Sequence, residues 1–171
     1  MRKTDIGDLS SSEPGSAARD CAGKPDFSLL PLRELGYALI DPRRDWGAVV
    51  PGYVTAVLGV GEFQETRNVG ALRAAVRALL EFMPDAARAF DYGRAKYAAW
   101  NWPKGMAWSV PVACIGRHAF KLAQGEALDA ESGCRHEGHI ICNLLMLIAF
   151  VETYPEGDDL PPVGLLKSPR L

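Results

Sequence analysis

All three histidines of the chain lie between positions 118 and 139. His136, His139 and Asn143 follow one another at i, i+3 and i+7. At about 100° per residue, a helix sets these three within about 60° of one another as one polar stripe. The run from Ile140 to Val151 is otherwise apolar, so the stripe needs partners, because buried polar groups left unpaired are costly. A hydrogen-bond network joining helices would satisfy it, and so would a ligand or metal site. Upstream, Arg117-His118 and Lys121 sit on the preceding helical pattern, and Glu126-x-x-Asp129 occupies the connection. On a helical turn this step would put two carboxylates on one side, where a hard cation can be shared. Acidic pairs near helix ends also simply cap or solvate. A hairpin of the two helices would bring Arg117, His118, Glu126, Asp129, His136 and His139 to one end.

A second dense stretch runs from Tyr92 to Gly105 and contains Arg94, Lys96, Tyr97, Trp100, Asn101, Trp102 and Lys104. Lysine and arginine can offset phosphate charge, and Tyr or Trp can stack on a base. The same aromatics can act as wedges that fix a turn between helices, and Lys96 and Lys104 can simply be solvated.

The elements that must position these groups are mainly helical. A short helix is expected over 32–40, ending before Pro42. Residues 45–66 alternate β-branched pairs with Gly and Pro and leave a small irregular or β insertion open. Asn68 caps a helix over 69–82, and Pro84-Asp85 restarts one that carries Phe90, Gly93 and Tyr97. Ser109, with Pro111 in the next turn, opens a helix that stops at Gly125. The last long helix, about 134–154, is apolar nearly all round and should be the buried central one. The fold class is therefore an all-α bundle with a long buried C-terminal helix. Residues 1–25, rich in Ser, Gly and Asp without periodicity, read as a flexible arm. Residues 26–154 form one helical domain, and 155–171 an extended tail with four prolines.

The 171 residues match one domain, and 48% apolar content supplies a real core. With 19 basic against 21 acidic residues, nothing in the overall charge favours a nucleic-acid polymer or an anionic membrane. No apolar run reaches the length of a membrane span, and the N-terminal residues lack a signal-peptide core, so a cytoplasmic location is expected. Cys21, Cys114, Cys134 and Cys142 are too sparse for a disulfide scaffold. There is no His-Asp dipeptide, no phosphate-binding G-x-x-x-x-G-K-[ST] loop and no G-x-S-x-G elbow.

Three blocks resemble a family of phage and bacterial proteins, the dATP/dGTP diphosphohydrolase N-terminal domain family, often found beside MazG-like pyrophosphohydrolases. They are Gly93-x-x-Lys96-Tyr97 with Asn101-Trp102-x-Lys104-Gly105, then Arg117-His118 with Gly125-Glu126-x-x-Asp129, then Glu131-Ser132-Gly133-x-x-His136-x-x-His139 with Asn143-Leu144-Leu145. Asp26 to Pro31 looks like the family's opening segment, separated from the first block by an apparent insertion at 41–80. The resemblance implies metal-assisted hydrolysis of a purine deoxynucleoside triphosphate to monophosphate and pyrophosphate. In an enzyme of that kind, Glu126 and Asp129, helped by His136 or His139, would hold Mg²⁺ or Mn²⁺, with His118 as general base or orienting group. Lys96, Lys104, Arg117 and Lys121 would offset triphosphate charge, Trp100 or Trp102 would pack on the base, and Tyr97, Asn101 and Asn143 would complete the substrate site. Glu62 and Glu65 could supply the second acidic turn that MazG-like enzymes use.

Two other readings stand beside this one. Cys114, His118, Cys134, His136, His139 and Cys142 contain enough Zn²⁺ ligands for a zinc-stabilised interaction module. A nucleotide-binding or dimerisation domain without turnover would keep the same scaffold, and the apolar last helix suits a homo-oligomer as well as a monomer core.

Overall fold

The run Ile140–Val151 forms the inner turns of the longest helix, and three other helices pack directly on it. In the computed structural model, which describes residues 6–40 and 50–166, six α-helices follow in order: α1 (Leu32–Leu39), α2 (Gly52–Thr66), α3 (Val69–Arg77), α4 (Met83–Lys96), α5 (Ser109–Ala123) and α6 (His136–Thr153). No sheet occurs among the described residues, only two isolated bridges. Helix α6 packs on α5, α4 and α3, while α2 lies between α1 and α3. Ile140, Ile141, Leu144, Leu147 and Phe150 of α6 are fully buried, each stabilising the fold by about 1.5–3 kcal/mol relative to exposure. No described helix is long and apolar enough to cross a membrane.

Local chemistry explains most helix ends. The Asn68 side chain accepts from Gly70 N–H at 3.0 Å and starts α3. The expected 69–82 helix is divided: α3 ends at Arg77, a 3-10 turn covers Leu80–Phe82, and α4 begins beside Pro84. Ser109 is the first residue of α5 rather than its cap. The cap is the Asp159 carboxylate, which accepts from Ser109 N–H at 2.8 Å and Ser109 Oγ–H at 2.5 Å.

The irregular or β insertion considered for 45–66 is not found in its described part, because Gly52–Thr66 is helical; residues 41–49 lie outside the described residues. Its glycines are contact points. A Cβ on Gly61 would stand 2.2 Å from the Arg33 backbone nitrogen, and one on Gly59 would stand 2.8 Å from the Ala71 carbonyl oxygen. Glycine lets α1 and α3 approach α2 backbone to backbone, which outweighs its low helix propensity.

Both chain ends pack on the bundle where they are described. In the segment expected to be a flexible arm, Ala17 and Ala18 are buried. Ile6 and Arg19 pair in an antiparallel bridge. Gly15 N–H donates to the Lys104 carbonyl at 2.6 Å, and Ala17 N–H to the Gly105 carbonyl at 3.0 Å. This strap is fastened along residues 101–105. At the other end, Leu160 is buried and Asp158 accepts from Arg67 at 2.7 and 2.9 Å.

Candidate functional site

One cavity of about 770 Å³ opens between the C-terminal half of α4, the loop after it, α5 and the first half of α6. The strap closes one side with Arg19 and Asp20, and the loop between α5 and α6 brings Asp129 and Glu131. This size falls in the range of ligand pockets, about 300–1,000 Å³.

The polar stripe of α6 lines the cavity as its spacing requires. His118 from α5 meets it: the Nδ1 atoms of His118 and His136 are 2.8 Å apart, and the His118 and His139 rings stack at 4.5 Å between centroids. His136 is 1% exposed. Its Nε2 lies 3.3 Å from Glu126 Oε1. With Nε2–H donated to that carboxylate, the Nδ1 lone pair of His136 accepts from His118 Nδ1–H, and a cation between the rings would take that hydrogen's place. Burial, reinforced by His139 and His136, holds His118 well below the usual imidazole pKa, so it is neutral at pH 7. Burial also lowers His139.

The carboxylates do not share a helical turn, as the Glu126-x-x-Asp129 spacing suggested. Helix α5 stops at Ala123, Gly125 takes φ +86°, and Leu128 pairs with Arg135 in an isolated bridge, so the segment is a loop. The two side chains diverge. Glu126 is outside the cavity lining and is bound by Lys121 at 2.8 Å, which, with His136, holds its carboxyl below the usual range. It touches the site through His136, as a positioning group. Asp129 does line the cavity, and its Oδ2 accepts from Ser132 N–H at 2.9 Å and Ser132 Oγ–H at 2.8 Å. Ser132 Oγ is also 2.7 Å from His139 Nε2. Its single hydrogen goes to the carboxylate, so His139 Nε2 is the donor and Ser132 is not an activated nucleophile.

Among the described residues, one group has ligand atoms gathered for a metal ion: His118, Asp129 and His136, all within 4.8 Å of one another. The group takes His118 where the sequence reading had Glu126, and His139 is not in it. No cysteine joins it, so the mixed Cys/His zinc set is not assembled. Cys114 Sγ instead receives Arg117 Nη2 at 2.9 Å and Arg19 Nη2 at 3.4 Å. Imidazole is a ligand type that suits Zn²⁺, whereas Mg²⁺ and Mn²⁺ favour oxygen ligands such as the Asp129 carboxylate. The Glu126 carboxylate behind His136 is the kind of support that metal-bound imidazoles have.

The α4 stretch divides between wall and scaffold. Lys96 is buried against Asp20 at 3.1 Å and also pairs with Glu131. That hydrogen bond from Lys96 drives the Glu131 carboxyl down to about 2. Tyr97 Oη accepts from Asp20 N–H at 3.2 Å. Asn101 lines the cavity, but its amide grips the strap, accepting from Ala18 N–H at 3.0 Å and donating to Ala18 C=O at 2.9 Å. Trp102 packs between Phe90 and Phe150 as a wedge. Trp100 is 78% exposed at the rim with φ +59°, a left-handed conformation uncommon for a large side chain. Lys104 is outside the lining and points to the Leu9 carbonyl at 3.5 Å. Glu62 and Glu65 are also outside it: Glu62 accepts from Asn68 at 2.8 Å and Glu65 pairs with Arg33 at 2.6 Å, so they make no acidic turn at this site.

Sequence reasoning missed Arg19. Its Nη2 donates to Asn143 Oδ1 at 2.5 Å, while Asn143 Nδ2 donates to the His139 carbonyl at 2.8 Å, so Asn143 joins the strap to the stripe. Ser132 and Glu131 carry the resemblance but had no role assigned from sequence; only the fold shows the first on Asp129 and the second on Lys96.

Searches of curated proteins and of solved structures find no match to this chain. The family description "dATP/dGTP diphosphohydrolase, N-terminal" matches residues 65–160, a span that includes α3 to α6 and every histidine of the cavity. The chain belongs to the dATP/dGTP diphosphohydrolase N-terminal family.

Proposed function

We propose that this cavity binds a purine deoxynucleoside triphosphate with a divalent cation and hydrolyses it to the monophosphate and pyrophosphate. The observation that carries the reading is the convergence of His118, Asp129 and His136 in a cavity of nucleotide size whose charge opposes that of the chain. Six lysines and arginines line it against four carboxylates, whereas the whole chain has a net charge of −2. Such a local excess attracts an anion into a protein that would otherwise repel it. The purine preference comes from the family description alone.

His118, Asp129 and His136 would hold the cation, Mg²⁺ or Mn²⁺ through the carboxylate and water or Zn²⁺ through the imidazoles. When bound, such an ion polarises phosphoryl oxygen and lowers the pKa of a bound water. The chain's own residues do the rest. Neutral His118 offers a lone pair, Glu126 holds the His136 ring, and Ser132 holds Asp129 in place. Arg117 and Lys121 offset phosphate charge at the cavity wall, and the exposed indole of Trp100 provides a face for the base.

The test is product analysis of dATP and dGTP incubated with the protein and Mn²⁺, Zn²⁺ or Mg²⁺. Monophosphate and pyrophosphate in equal amounts, lost in Asp129→Asn and His136→Ala, support the reading. Activity undiminished in both variants overturns the site. Nucleotide binding without any product selects the non-catalytic domain instead.

A further inference from the structure

The cavity's carboxylates are all engaged, Lys121 is paired with Glu126 outside the cavity at 2.8 Å, and two cations are left over. Asp91 pairs with Arg94 at 2.6 Å, Asp20 with Lys96 at 3.1 Å, and Glu131 with Lys96 and, at 3.5 Å, with Lys24. Asp129 is taken by Ser132 and stands 3.8 Å from His139. Arg19 and Arg117 have no carboxylate within 4.0 Å among the described residues. Arg19 instead reaches Asn143 at 2.5 Å, Cys114 at 3.4 Å and Met146 at 3.8 Å; Arg117 reaches Cys114 at 2.9 Å and the Pro25 carbonyl at 2.9 Å. Two guanidinium groups thus converge on one sulfur and on no carboxylate. Holding two like charges together without a counter-ion is unfavourable unless something anionic joins them.

Cys114 reports the local potential. Burial alone would raise its thiol, yet the two guanidiniums hold it below its usual value, whereas burial pushes the Cys142 thiol up to about 12. The arginines are also built in. The Arg19 backbone is pinned by its bridge to Ile6, with N–H···O distances of 3.1 and 3.3 Å, and its side chain is aimed by Asn143.

We infer that Arg19 of the N-terminal strap and Arg117 of α5 together form a diphosphate subsite, so that a segment before the family match completes the cavity. That the anion is a phosphate chain rests on the nucleotide reading above; the planar fork of each guanidinium suits two phosphate oxygens. Arg19 thereby becomes a binding residue and Asn143 its positioning residue, not itself a ligand to substrate.

The test is calorimetric titration of the full chain with inorganic pyrophosphate in chelator, comparing wild type with Arg19→Gln, Arg117→Gln and the double variant. Wild type should bind, each single change should weaken binding by about tenfold or more, and the double variant should show none. Arg19→Lys keeps the charge without the fork and serves if Arg19→Gln fails to fold; it too should bind more weakly than wild type. No binding by wild type, or equal binding by an Arg19 variant, overturns the subsite. Hydrolysis of dGTP is measured on the same proteins. Pyrophosphate binding that needs both arginines, without hydrolysis, keeps the subsite and refutes the hydrolase reading. Hydrolysis with undiminished pyrophosphate binding in an Arg19 variant does the reverse.

Discussion

Replacing Asn101 with alanine should unfasten the strap. The Asn101 amide makes both side-chain bonds to Ala18, at 3.0 and 2.9 Å, across 83 residues of sequence. Asn101 is 5% exposed and Ala18 0%, so Asn101→Ala leaves a buried N–H and a buried C=O without partners. Each orphaned group costs about 1–3 kcal/mol. Water entering the vacated space recovers part of this, and the expected total is about 2–4 kcal/mol. The two backbone bonds from Gly15 and Ala17 to residues 104 and 105 remain, so the loss should fall first on local opening of the strap. At tenfold per 1.4 kcal/mol, amides of residues 15–19 should exchange with deuterium about thirtyfold to seven-hundredfold faster. Hydrogen exchange followed by mass spectrometry reads this directly, with α6 peptides as the internal reference. Pyrophosphate affinity should fall in parallel, because Arg19 directly follows Ala18. Unchanged exchange over 15–19, with stability within about 0.5 kcal/mol of wild type, would refute the clamp.

Two further outcomes are expected. Asp159→Ala removes the carboxylate that caps α5 and should cost about 0.5–2 kcal/mol in urea denaturation. Asp159→Asn, which keeps an acceptor, should recover part of the loss, and an alanine variant as stable as wild type would contradict the cap. With its thiol at about 12, Cys142 at pH 8 is ionised in only about one molecule in ten thousand. Iodoacetamide should therefore leave it unlabelled in the native protein while the half-exposed Cys21 reacts, and equal labelling of the two would be contrary to the structure.

What could be read from the sequence is what depends on neighbours within a helix. The His136, His139 and Asn143 stripe points into one cavity because spacing alone sets its face. Asn68 and Pro84 mark real helix starts because caps and prolines act locally. The errors have the opposite character. The glycines of α2 look like breakers until the α1 and α3 backbones that touch them are seen. The Glu126-x-x-Asp129 spacing suits a helical turn, but left-handed Gly125 and Gly133 fold that segment into a loop and send the carboxylates to different partners. Asn101 and Lys104 look like ligand groups from their types, yet they face the strap. Arg19 was invisible for a related reason: its segment has no periodicity of its own and is ordered by bonds to residues more than 80 positions away.

The central claim is that metal and nucleotide share the cavity between α4, α5 and α6. The most direct test is a crystal of the protein with Mn²⁺ and an α,β-imido purine deoxynucleoside triphosphate, with data collected at the manganese absorption edge. The account predicts an anomalous peak at ligand distance from His118, Asp129 and His136, with the phosphate chain reaching from it toward Arg19 and Arg117. A peak elsewhere, or a nucleotide bound outside this cavity, would contradict it.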